Sequence, residues 1–124
     1  MDYVATPDAP QAIGPYSQAV KANGIIYASG QIPLDPATGN LVAGDFSTHA
    51  RRVFDNLAAV LRAAGSDFSL VTKATVYLTD LANFQALNAI YAEYFGAHKP
   101  ARSTVGVAQL PKGATVEIDL IALT

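Results

Sequence analysis

Cysteine is absent from the sequence. Counting alone therefore excludes disulfides, thiolate nucleophiles and cysteine-based zinc sites. Charge is scarce as well: 15% of the 124 residues are charged against 51% hydrophobic, and eight Lys/Arg nearly balance ten Asp/Glu to leave −2 at pH 7. That composition excludes disorder. No basic run is available to neutralise a row of phosphates, so nucleic acid is not expected as a partner. The two histidines, His49 and His98, lack metal-ligand spacing, and neither a metal nor a cofactor is expected; each histidine reads as a surface or helix-end residue. No apolar run approaches the ~20 residues that span a bilayer, and MDYVATPDAP has no basic segment ahead of an apolar one. The expectation is a cytoplasmic protein with no membrane partner. Linkers, repeats and low-complexity tracts are missing too, which favours one domain over 1–124. Its few polar residues leave apolar surface over, and that points to self-association.

What is present is strongly patterned. Phe46, Ala50, Val53, Leu57, Leu61 and Ala64 recur at helical spacing, with Asp45 placed to cap the start and Gly65 to end a helix over 46–64. A second helix is predicted at 81–95, with Phe84, Leu87, Tyr91, Tyr94 and Phe95 on one broad side, Asp80 before it and Gly96 after it. Between them VTKATVYLT (71–79) is β-branched and aromatic, the composition of a strand. Asn23-Gly24 divides two strand-like runs within 17–32 and signals a hairpin. PLDPATGN (33–40) reads as an exposed turn region. Strands are expected at 101–108 and 114–123 on either side of Pro111 and Gly113, with a short one at 2–5. This order predicts an α+β fold: a two-layer sandwich of a mixed β-sheet with both helices on one face.

In the last strand Val116, Ile118 and Leu120 alternate with Glu117, Asp119, Ile121 and Leu123. A sheet face mixing carboxylates with Ile and Leu is a poor core and a poor solvent surface. Packing against further copies of the chain would bury its apolar part and leave its charges lining a cleft. Two full charges stand out in ARSTVGVAQLPKGATVEI (101–118), Arg102 and Glu117. A guanidinium offers a planar fork that holds a carboxylate in a bidentate way. A glutamate can position and polarise water. On residue type alone, the two could equally pair with each other.

AIGPYSQAV (12–20), ASGQIPLDPATG (28–39), NAIYAEYFGAHKPARSTV (88–105) and LPKGATVEIDLIA (110–122) resemble, in order and spacing, the RidA or YjgF family. The resemblance implies homotrimers of a chorismate-mutase-like fold with clefts between subunits. It also implies hydrolysis of 2-imino acids, such as 2-iminopropanoate and 2-iminobutanoate, to 2-oxo acids and ammonia without a cofactor. By the same resemblance Arg102 holds the substrate carboxylate and Glu117 handles water and protons. The resemblance also implies that Tyr16, Ser29, Gly30, Asn88 and Thr104 line the cleft, with Thr104 standing where many members have cysteine and Gly106 where glutamate is frequent. Two alternatives stay open: a non-catalytic trimeric module or sensor that uses the same cleft to bind small 2-oxo carboxylates and, because the resemblance extends to relatives credited with ribonuclease activity, an RNA-acting protein, against which the acidic charge balance argues.

Overall fold

The chain, described over residues 1–124 by a computed structural model, runs β1 (Asp2–Val4), β2 (Ala19–Ala22), β3 (Ile25–Gln31), α1 (Phe46–Ala63), β4 (Val71–Leu78), α2 (Phe84–Phe95), β5 (Ala101–Gly106) and β6 (Val116–Leu123). The expected α+β class and mixed sheet are observed. One six-stranded sheet has the order β1-β2-β3-β6-β4-β5, antiparallel throughout except for the parallel pair β4–β5.

The local signals act as chemistry requires. Asn23 and Gly24 take φ of 52° and 75° between β2 and β3, the pair of positive values that a two-residue hairpin matching strand twist needs. Asp45 caps α1, its carboxylate accepting from the Thr48 backbone N–H at 2.9 Å. Gly65, with φ 84°, turns the chain out of that helix. Asp80 caps a 3₁₀ turn at Leu81–Asn83 that leads into α2, so the second helix begins three residues later than its pattern suggests.

Both helices cover one face of the sheet. Val53, Phe54, Leu57, Val60 and Leu61 of α1 meet Ala74, Val76 and Leu78 of β4 and Val116, Ile118 and Leu120 of β6 in the main core. Each fully buried Leu or Phe contributes about 1.5–3 kcal/mol of hydrophobic stabilisation. Phe54 anchors an aromatic group, stacking on Tyr94 at 4.8 Å and meeting Tyr91 and Phe95 edge-on at 5.9 and 6.3 Å. The alternation expected in β6 holds: Val116, Ile118, Leu120 and Ala122 are buried, while Glu117, Asp119 and Ile121 are half-exposed on the uncovered face.

Two expectations need correction. β5 and β6 are shorter than predicted, because Val107 N–H makes a last bond to the Leu78 carbonyl and a 3₁₀ turn at Pro111–Gly113, with Lys112 at φ 58°, occupies the approach to β6. The 33–40 segment is not wholly exposed. Leu34 is buried with Ile32 and Ala114 in a second small core, and Asn56, fully buried on α1, donates to the Leu34 carbonyl at 2.9 Å. His49 takes the helix-end place, one of the two expected for it, and is buried there near the start of α1, with Nε2 2.8 Å from the Val42 carbonyl and Nδ1 3.3 Å from the Thr115 hydroxyl. Nε2 must donate to the carbonyl, which only accepts, whereas the Thr115 hydroxyl can serve Nδ1 in either role.

Candidate functional site

β4 lies between β5 and β6, and its alternation sets the direction of each candidate charge. Glu117 pairs with Tyr77, and Asp119 with Thr75, on the face that no helix covers. Arg102 pairs with Ala74, and Thr104 with Val76, on the face that carries α2. Two residues that are near neighbours in the sequence pattern are thus sent to opposite sides of one sheet. Within one chain they do not meet.

Around Glu117 the structure gathers Tyr16, Ser29 and Gly30 along a cavity of about 470 Å³ that also reaches Gln11, Ile13 and Gln31. Gly30 is required by contact rather than by backbone angle. A Cβ there would stand 2.9 Å from the Glu117 carboxyl carbon and closer still to Oε2, so only glycine lets the carboxylate lie flat against β3. The carboxyl is half-buried, with neither an ion pair nor a hydrogen-bond partner within the chain. Burial raises its pKa, and the neighbouring Asp119 carboxylate raises it further. Asp119 itself accepts from the Tyr77 hydroxyl at 3.0 Å.

The loop carrying Tyr16 is tied down by a buried glutamine. Gln18 accepts from Thr6 N–H at 2.7 Å and donates to the carbonyls of Thr6, Ala9 and Pro10 at 3.1, 3.3 and 2.8 Å. The 6–10 segment is thereby held against the cavity. Ser29 hydroxyl donates to the Ser17 carbonyl at 2.6 Å, and Tyr16 hydroxyl accepts from the Ile13 N–H at 3.3 Å. Ser29 therefore fastens the two sides of the pocket together, and Tyr16, exposed at its edge, closes a short loop on itself.

The Arg102 half is built differently. Arg102 Nη1 donates to Asn88 Oδ1 at 2.8 Å, and its guanidinium carbon lies 4.8 Å from the Tyr91 ring centre and 5.6 Å from that of Phe84. Phe84, Asn88 and Tyr91 share one face of α2 by spacing of four and three. Asn88 is thus turned to the arginine. Thr104 hydroxyl, two residues further along β5, is buried without a hydrogen-bond partner.

Arg102 and Glu117 do not pair; the single ion pair joins Arg51 and Glu93 on the helical surface. The seven candidate residues fall into two groups, Tyr16, Ser29, Gly30 and Glu117 on one side and Asn88, Arg102 and Thr104 on the other. Sequence reasoning missed Gln18 as the anchor of the loop and the two aromatic rings beside Arg102. The rings' helical register with Asn88 was a usable signal; Gln18 gave none, since its partners are backbone groups.

Similarity to other proteins extends over nearly the whole chain. The family described as Endoribonuclease L-PSP matches residues 6–124. A human 2-iminobutanoate/2-iminopropanoate deaminase is 47% identical over 120 residues, 97% of this chain and 88% of the human one. AldR of Lactococcus lactis, which carries a regulator's name, is 49% identical, covering 98% of this chain and 97% of AldR. The solved structure of E. coli TdcF with bound serine superposes with a TM-score of 0.94 at 40% identity, covering 100% and 99% of the two chains. Sequence, fold and the chorismate-mutase-like arrangement of two helices on a six-stranded sheet lead to one conclusion: the chain belongs to the RidA, or YjgF, family.

Proposed function

We propose that this protein is a 2-imino acid deaminase, converting compounds such as 2-iminopropanoate and 2-iminobutanoate to 2-oxo acids and ammonia, in sites completed between the subunits of a homotrimer. The observation that carries this reading is the separation of two uncompensated charges. Glu117 has no partner on the uncovered face, and Arg102 has only the neutral Asn88 on the other. An acidic group and a cationic group kept apart in one chain can both face the same ligand only when a second chain supplies one of them. The names of the human and goat relatives, at 47% and 49% identity, favour the same chemistry.

In the mechanism Arg102 binds the substrate carboxylate and so fixes C2 of the iminium. Glu117 takes a proton from a water as its oxygen bonds to C2 and the C=N electron pair moves to nitrogen. The proton then passes from Glu117 to the nitrogen of the carbinolamine. The C–N bond breaks, the remaining hydroxyl oxygen forms C=O, and its proton leaves with ammonia as ammonium. The raised pKa of Glu117 makes it a stronger base than an ordinary carboxylate once ionised. An iminium is already electrophilic, so the protein needs only to position the reactants and carry protons.

The test is turnover of freshly generated 2-iminobutanoate by the purified protein, with its mass in solution read by sedimentation equilibrium. The proposal expects hydrolysis well above the spontaneous rate and a particle about three times the 13.0 kDa chain. A sensor of small 2-oxo acids is the second reading, favoured by the regulator's name borne by AldR. Calorimetric binding of 2-oxobutanoate without any acceleration of imine hydrolysis would select it.

A further inference from the structure

Tyr91 joins two features that a plain packing role does not require together. Its ring lies 4.8 Å from the Arg102 guanidinium carbon, close enough for a cation–π contact. The same ring stacks on Phe95 at 4.3 Å and 27° and meets Phe54 edge-on at 5.9 Å, and Phe54 is wholly buried at the centre of the core.

We infer that Tyr91 is a positioning residue for Arg102, its ring transmitting the rigidity of the aromatic core to the guanidinium so that the fork is held ready for a carboxylate. Asn88 fixes one end of the guanidinium through Nη1, while the ring face restrains its plane. The two constraints are complementary: a single hydrogen bond leaves the group free to swing about it, and a ring face alone leaves it free to turn in its plane. Phe84 contributes less, since it stands further away at 5.6 Å and is 39% exposed, with no core ring packed against it. Burial raises the Tyr91 pKa, with Arg102 opposing, so the phenol stays neutral and presents an uncharged ring to the arginine.

This inference rests on the proposed role of Arg102 in holding the substrate carboxylate, but its first readout does not. In a ¹⁵N-labelled protein, the Arg102 Nε–H resonance should be displaced by the Tyr91 ring current and sharpened by restricted motion. Tyr91→Leu should return it toward the position and width of a solvent-exposed arginine, and Tyr91→Phe should leave it close to that of the wild type. The second readout is kinetic. Tyr91→Leu should raise KM for 2-iminobutanoate by about three- to thirtyfold, the span expected of one partly desolvated cation–π contact, with kcat changed less than about threefold. Tyr91→Phe should restore KM. If Tyr91→Leu does not fold, Tyr91→Met replaces the ring with flexible apolar bulk and carries the same expectations. An Arg102 resonance unmoved in a folded Tyr91→Leu or Tyr91→Met variant would overturn the inference, as would an unchanged KM. Should wild-type protein fail to hydrolyse the imine, the proposed function falls, and the resonance alone decides whether Tyr91 holds Arg102.

Discussion

The two sides of the sheet treat their charges in opposite ways. On the uncovered face Glu117 is half-buried, pressed on Gly30 and raised in pKa, with Asp119 beside it making matters worse. On the helix-covered face Arg102 is placed by an amide at 2.8 Å and by two aromatic rings. One side raises a carboxylate's pKa by withholding partners. The other restrains a cation by supplying neutral ones. Neither arrangement would persist if the two charges neutralised each other within the chain, and the lesson is that the strand between them, β4, is what keeps the charges apart.

Removing the carboxylate should have the largest effect. Glu117→Gln preserves shape but not basicity, and turnover of 2-iminobutanoate should fall by about 10²- to 10⁴-fold. Calorimetric affinity for 2-oxobutanoate, held chiefly by Arg102, should change far less; turnover that persisted while affinity collapsed would assign Glu117 to holding the site rather than moving protons. Gly30→Ala tests the same side through geometry. The new Cβ would stand 2.9 Å from the Glu117 carboxyl carbon, so the carboxylate must shift, and a displacement of about 1 Å can cost roughly 100-fold in rate. Wild-type kcat in that variant would show that the carboxylate's placement is immaterial.

The cationic side is tested by Arg102→Lys, which keeps the charge and loses the fork. The loss of one charge-assisted hydrogen bond, about 1.5–3 kcal/mol, corresponds to roughly ten- to hundredfold in kcat/KM. Equal values for variant and wild type on one imine would remove bidentate recognition.

The smallest effect is on stability, and its sign follows from Glu117. Burial raises its folded-state pKa above the ordinary 4.5, so the folded protein holds this proton more tightly than the unfolded chain. The stability this contributes is fully present below pH 4.5 and is lost as pH rises through the folded-state pKa. Glu117→Gln escapes that loss. Its Tm relative to wild type should therefore climb as pH rises from 4.5 through the raised pKa and level off above it, and a difference that shrank over the same range would contradict the direction given for Glu117. The rate of imine hydrolysis by wild type should rise over this interval as the base ionises.

Much of this contrast was legible in the sequence, and the part that was not has a specific cause. Asn23-Gly24, the periodicity from Phe46 to Ala64, and the alternation of Val116, Ile118 and Leu120 with Glu117 and Asp119 are local signals that tertiary structure did not override. The sorting of Arg102 and Glu117 onto opposite faces is not local. It depends on β4 entering between β5 and β6 with Ala74 against Arg102 and Tyr77 against Glu117, a register that the two later strands do not encode alone. The burial of Leu34 within a stretch rich in turn residues was hidden for a similar reason, because the partner that stabilises it is Asn56 on α1, 22 positions away.

The central claim is that a working site takes Glu117 from one subunit and Arg102 from another. Mixing Glu117→Gln with Arg102→Ala under conditions that exchange subunits tests it directly, each variant being nearly inactive alone. In an equimolar mixture half the subunits keep Arg102 and half keep Glu117, so statistical assembly restores about a quarter of the wild-type sites, and about that share of imine turnover should return. If both residues of a site came from the same chain, every site in the mixture would still lack one of them, and activity in exchanged trimers no higher than the sum of the separate variants would contradict the account.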